Sequence, residues 1–344
     1  MSLPLLSIIS LLENTEKGER RDMSTGSSKS PSHLNQTWYI ITFILGLSLF
    51  AGLLLSTVYY LLSPIQEQAA TFDRNKQMLL AVHTLDYQGH FQLYDNNAWV
   101  PAIYDKETQL LQSYEGRSPV VSSLTLDLYT QRFVRPLLAD KHGAIFSFED
   151  KHKNIVEFIK EYQESGFYHQ PLLLFYAILE NTNRAAMMSA SEIAKDPSMI
   201  QALVIPISGF GLWGPIYGYL GIKNDGNTVL GTAWYQQGET PGLGANIANP
   251  EWQVQFYGKK IFAAATSGVT DFAMAPLGLE VIKGSVLTAF GHSPKALSAI
   301  DGISGATLTC NGVTDAYIQS LAPYRQLLIS FAKLNNSGKK DVHK

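Results

Sequence analysis

ALVIPISGFGLWGPIYGYLGIKNDGNTVLGTAWY, residues Ala202–Tyr235, decides the fold. It holds three apolar runs rich in β-branched and aromatic residues: Ala202–Ile207, Ile216–Ile222 and Val229–Tyr235. The first gap, Gly209-Phe210-Gly211-Leu212-Trp213-Gly214, spells GxGxxG after a strand. A dinucleotide fold needs a helix to begin there, so that its N-terminus holds the pyrophosphate. Pro215 and Gly218 follow instead, inside another β-prone run. The glycines therefore read as a connection between strands, with Trp213 packed on or near a site. The second gap, Asn224-Asp225-Gly226-Asn227, is a turn that makes a hairpin of its flanks. The predicted class is α+β, with a largely antiparallel sheet and flanking helices, not a doubly wound sheet.

Upstream the pattern is less regular. Gln170–Leu179 reads as a buried strand, and Phe148–Ser165 as an amphipathic helix with Ile155, Phe158, Ile159 and Tyr162 on one face. Ser191 is placed to cap a short helix at Glu192–Ala194, which Asp196-Pro197 closes. FQLY, WVPAIY and VVSSLTLDLY, between Tyr87 and Asp140, are β-prone. Gln66–Val82 spaces its apolar residues as a helix. Downstream, Trp252–Tyr257, Phe262–Thr266 and Val286–Phe290 are further segments. Gly312–Leu334 is the final amphipathic helix, bent at Pro323.

Only 16% of the 344 residues are charged while 46% are hydrophobic, which points to a membrane segment. That segment is Trp38–Leu62, which carries no charge, is long enough to span a bilayer, and has aromatic residues at both ends. It is too long for the apolar core of a signal peptide. Arg20, Arg21 and Lys29 precede it, against Arg74 and Lys76 after it. The bias places the N-terminus in the cytoplasm and the large C-terminal part outside it. The expected layout is a mostly disordered tail at 1–37 and a transmembrane helix at 38–62. A membrane-proximal α+β region at 63–198, a ligand domain at 199–334 and a disordered tail at 335–344 complete it. Translation is expected to start at Met23, because the charged block before it has no role. A net charge of −3 gives no basic field for nucleic acid. Cys310, the single cysteine, excludes internal disulfides, CxxC chemistry and thiolate metal sites. No histidine spacing suggests zinc.

Two loops carry the chemistry. Asp301-Gly302-Ile303-Ser304-Gly305-Ala306-Thr307-Leu308-Thr309 is too small and too polar for core. It can bring backbone N–H groups and a hydroxyl close to a ligand. A helix starting just after it would offer unpaired N–H groups to a phosphate. By chemistry alone Ser304 is the first choice of hydroxyl, and Gly302–Ala306 approximates a nucleophile elbow. The elbow needs a later histidine, and the one available is His343. Asp301 reads equally as a metal- or substrate-binding acid during maturation and as a turn-stabilising side chain. The other loop, Glu239-Thr240-Pro241-Gly242-Leu243-Gly244, sets an acid in a tight glycine-rich turn.

With these pieces in order, the chain resembles a known family: the C subunit of the Na+-translocating NADH:quinone reductase, related to the G subunit of the Rnf complex. The resemblance lies in the N-terminal anchor, IPISGFGLWGPIYGY at Ile205–Tyr219, ETPGLG at Glu239–Gly244 and DGISGATLT at Asp301–Thr309. NPEWQVQFYGKK at Asn249–Lys260 favours the quinone-reductase branch over the Rnf branch. Many members, the Rnf branch especially, carry a histidine close before ETPGLG, where Gln236, Gln237 and Gly238 stand here. The resemblance implies FMN esterified through its phosphate to Thr307 by a dedicated flavin transferase. It also implies a one-electron relay within a six-subunit bacterial inner-membrane complex that oxidises NADH, reduces ubiquinone and exports Na+, with the FMN domain on the periplasmic side. Ser304, Gly305, Ala306, Leu308 and Thr309 would then surround the phosphate. Trp213, Tyr217 and the Glu239, Thr240, Gly242, Leu243 and Gly244 loop would contact the ring. The rival reading is a flavin-free, membrane-anchored assembly protein.

Overall fold

The computed structural model describes residues 37–95, 98–165, 171–267 and 269–341. The chain divides into two compact units, residues 1–65 and 66–344. In the first, the described part is helical throughout and its large apolar side chains are exposed. It belongs to helix α1 (Thr37–Ala81), the one helix among the described residues long and apolar enough to cross a membrane. The helix continues through Pro64 rather than ending there. The N-terminal tail and the proposed start at Met23 lie outside the described residues.

In the second unit the end of α1 buries Met78, Leu79 and Ala81. Strands β1 (Gln92–Asp95), β2 (Ala98–Tyr104) and β3 (Leu111–Ser113) form a small antiparallel sheet. Helix α2 (Ser123–Phe133) then leads into β4 (Val134–Ala139) and the short β5 (Ile145–Phe146). Helix α3 (Ile155–Ser165), strand β6 (Leu173–Leu179) and the short helices α4 (Asn183–Met187) and α5 (Ala190–Lys195) follow. The decisive stretch folds as three strands, β7 (Ile200–Phe210), β8 (Pro215–Lys223) and β9 (Val229–Gln236). They complete a six-stranded sheet of order β5-β4-β6-β7-β8-β9, in which every pairing is antiparallel. The expected α+β class and antiparallel sheet are therefore found. The sheet also joins β6 to β7, strands from either side of the expected 198/199 division.

Helices α6 (Pro250–Gln253) and α7 (Val286–Phe290) are single turns, and β10 (Glu280–Ile282) pairs in parallel with β11 (Ala299–Asp301). Helix α8 (Thr307–Leu321) packs along β7. A 3-10 turn at Ala322–Tyr324 separates it from α9 (Arg325–Asp341). The core runs through Tyr317, Tyr324 and Phe331, with the Tyr324 hydroxyl donating to the Leu174 carbonyl at 2.5 Å.

Several local expectations change. SLTLDLY is helical because Ser122 caps the N–H of Thr125, and Leu126, Tyr129 and Phe133 bury one helical face. β-Branched neighbours masked that spacing. VRPLLA is an unexpected strand. Its Pro136 is tolerated because β5 covers only Leu138 and Ala139, leaving that edge open. The α5 cap is Ser189, in a reciprocal capping box with Glu192, while Ser191 hydrogen-bonds to Asp150. The final helix starts earlier than Gly312 and breaks at Pro323, whose ring cannot supply an N–H, into two helices. The second runs past Leu334 to Asp341.

Candidate functional site

The GxGxxG segment ends β7 and turns back into β8, with the Gly211 N–H bonded to the Gly214 carbonyl and no helix following. That turn leaves the N–H groups of Leu212 and Trp213 pointing outward, and Glu239 receives both. Its Oε2 accepts from Leu212 at 3.1 Å and its Oε1 from Trp213 at 3.0 Å. The Thr309 hydroxyl donates to the same Oε2. One carboxylate thus ties together the GxGxxG turn, the ETPGLG loop and the first turn of α8. Thr240 reinforces the tie by accepting from the Trp213 indole N–H at 3.0 Å.

Glu239 is 5% exposed. Burial pushes its carboxyl upward, but the Thr309 hydroxyl and the Trp213 and Leu212 N–H groups outweigh that and hold it below its ordinary value. In the unfolded chain those donors are gone. Its stabilising contribution is therefore full above the ordinary glutamate range and is lost as pH falls through the lower folded value. Glu239→Gln is expected to lose about 2 kcal/mol at pH 7, since charge-assisted bonds become neutral ones. Below about pH 5 the gap from the parent should close, read as denaturant midpoints at each pH.

The loop before α8 is shaped by contact. Gly305 has φ +76, and a Cβ there would lie 2.9 Å from Leu243 Cδ2, so the ETPGLG loop presses on the Ser304–Ala306 backbone. Ala306 caps α8 with no side-chain bond. Thr307 stands at the first helical position, exposed, with Leu308 beside it 61% exposed. The first-turn N–H groups of an α-helix have no partner within the helix. Next to them is a cavity of about 270 Å³, lined by Ile282, Lys283, Gly284, Gly302, Ser304 and Thr307. A hydroxyl, a lysine residue and a helix N-terminus around one cavity fit a phosphate. The exposed Trp213, Leu243 and Leu308 nearby suit a planar ring system.

Not every expected residue joins this place. Asp301 turns away: its Oδ1 accepts from the Val286 N–H at 2.7 Å, which caps α7, and its carbonyl accepts from the Trp252 indole at 2.9 Å. It is a structural acid here, holding the base of the loop. Tyr217 lies on the β8 face that carries Tyr219. The opposite face meets α8, because Thr232 and Trp234 contact Tyr317. Gly242 stands exposed in its turn at φ +77, and Gly244 is buried against Thr309 and Glu239. Cys310 is buried, and burial pushes its thiol up; it accepts from the Ile303 N–H at 3.4 Å. Lys283 and Gly284 were not legible as site residues, although a Lys-Gly turn ahead of a short helix is a faint signal of an anion-facing loop.

A family model described as an FMN-binding domain matches residues 211–322, which include both loops and the whole of α8. The C subunit of the Na+-translocating NADH-quinone reductase from Chlamydia caviae is 67% identical over 309 residues, covering 90% of this chain and 97% of the relative. The protein of the same description from Chlamydia pneumoniae is 68% identical over 317 residues, covering 92% and 99%. A crystal structure of the corresponding protein from Parabacteroides distasonis aligns with a TM-score of 0.46 at 23% identity, covering 78% of this chain and 96% of that one. On the extent and identity of the two chlamydial matches, the chain belongs to the family of C subunits of the Na+-translocating NADH-quinone reductase.

Proposed function

We propose that the chain holds FMN through a phosphoester on Thr307 and serves as an electron-relay component of a membrane complex. That complex would contain six subunits and couple NADH oxidation and ubiquinone reduction to Na+ export. The observation that carries the reading is the exposed Thr307 hydroxyl at the start of α8, beside the cavity that Lys283 and Ser304 share. When bound there, FMN supplies one-electron transfer.

The residues have separate tasks. Thr307 provides the ester oxygen. Lys283 and the α8 N-terminus neutralise the phosphate charge that remains after esterification. Gly305 keeps the loop low enough for a transferase to reach the hydroxyl. Trp213, Leu243 and Leu308 offer an apolar seat, and Glu239 fixes the three segments that carry them. Tyr217 and Asp301 are further from this task than sequence reasoning places them. The anchor in α1 would hold the domain on the periplasmic side of the inner membrane, where a lost cofactor is hard to replace and a covalent tether is useful.

The test is a mass measurement. The chain is co-expressed with a flavin transferase, digested, and the peptide containing Thr307 is weighed. The expected mass is that of the peptide plus FMN less one water; an unmodified peptide in every preparation would reject the assignment.

A further inference from the structure

The opposite face of the six-stranded sheet holds a second cavity with its own chemistry. The β6–β7 ladder runs from Leu179↔Ile200 to Tyr176↔Val204 and then stops. The next residue of β7 that would continue it is Pro206, which has no N–H to give. The two strands part there, and a cavity of about 340 Å³ opens over the gap. Its walls include Pro206, Tyr176, Tyr219 and Tyr235 from the sheet, and Arg74 from the last turns of α1.

The cavity is rich in hydrogen-bond donors. Tyr219 stacks on Tyr235 at 5.0 Å and meets Tyr176 edge-on at 6.1 Å. Burial raises all three phenols, Tyr235 to about 12, while the Arg74 charge pulls each partly back. They remain O–H donors at neutral pH. Arg74 is half-buried, and its one hydrogen bond among the described residues is a long, exposed one to Thr71 at 3.3 Å. Among the described residues no carboxylate pairs with it. Asp73, the one acid at the cavity, is exposed and takes a bond from Gln77. A guanidinium at the wall of a cavity, with no carboxylate beside it among the described residues, is placed to take an anion. The phenols already bond to one another, so an incoming anion meets the guanidinium fork first and draws on that phenol chain second, which suits the several oxygens of a phosphate. Ala70, Ile159 and Leu174 in the same lining can seat an apolar body behind that head.

We infer that this cavity binds a phosphate group carried on a short apolar chain, with Arg74 as its main anchor and the phenols of Tyr219 and Tyr235 as further donors. Such a group belongs to an anionic lipid headgroup or to a free phosphate ester. The inference is independent of the flavin reading.

The experiment uses the full chain in maltoside micelles, titrated calorimetrically with hexyl phosphate below its micellar concentration. Hexyl phosphate is expected to bind while hexanol gives no heat. Arg74→Gln should weaken binding about tenfold, Arg74→Lys should recover part of it, and Tyr235→Phe should cost about threefold, as charged and neutral hydrogen bonds do. Competition by phosphatidylglycerol added to the micelles would identify the source as lipid; competition by inorganic phosphate alone would identify a free ion. Equal binding to the parent and Arg74→Gln, or equal heat from hexanol, would overturn the inference. So would the absence of any heat from the parent chain. Should Arg74→Gln melt at a lower temperature without ligand, Tyr235→Phe decides the outcome.

Discussion

Thr307→Ala is expected to abolish covalent flavin entirely while leaving the fold intact. The side chain is exposed at the first helical position and caps nothing, so its removal should change stability by no more than about 0.5 kcal/mol. Ser304 stands exposed in the same cavity and carries the same chemistry, yet it sits before the helix rather than on its first turn. Ser304→Ala should therefore keep full loading, and Thr307→Ser should keep the flavin on a hydroxyl in the same place. In-gel fluorescence after denaturation reads all three variants. Covalent flavin surviving in Thr307→Ala, or lost in Ser304→Ala alone, would move the attachment point.

A second large effect is expected at Gly312, in the middle of α8. A Cβ there would lie 2.0 Å from the Phe210 carbonyl oxygen and 3.0 Å from its carbon, both rigid backbone atoms of β7. Gly209 answers from the strand, since its own Cβ would meet Ala316 Cβ at 2.5 Å. The helix approaches the sheet at a distance only glycine allows. Gly312→Ala should gain about 1 kcal/mol of helix propensity. Against that, pushing α8 off β7 should cost about 3 kcal/mol or more. A net loss of about 2 kcal/mol is expected, seen as a lower denaturant midpoint with an unchanged slope. Because Thr309 and Thr307 ride on the same helix, flavin loading should fall too. A variant as stable as the parent would mean that lifting α8 off β7 costs only about 1 kcal/mol, the amount that helix propensity returns.

What the sequence showed depended on the range of the interactions involved. Local patterns were readable: the apolar run at Trp38–Leu62, the turn at Asn224–Asn227, and the failure of GxGxxG to be followed by a helix. The antiparallel sheet followed from these. VVSSLTLDLY misled because β-branched residues sit where tertiary packing, through Leu126, Tyr129 and Phe133, demands a helix. At the site, both loops were legible as small and polar, but their joint was not. No spacing in the chain announces that Glu239 will bond Leu212, Trp213 and Thr309 at once. Asp301 was ambiguous for the same reason, since its partner Val286 is fixed only by the β10–β11 pairing. Tyr217 fell on the far side because strand alternation and a bulge at Tyr217/Gly218 settle its face.

The Glu239 tie has a kinetic side. It joins Thr309 to a residue 70 positions earlier and Leu212 to one 27 positions later. Closing such loops costs chain entropy before any bond repays it, so contacts of this range form after local hairpins. β8 and β9 can pair early; the carboxylate can collect its three donors only once α8 has docked. Readiness of Thr307 for modification is therefore a late event in folding, and a chain presenting it correctly has already docked α8 on the sheet.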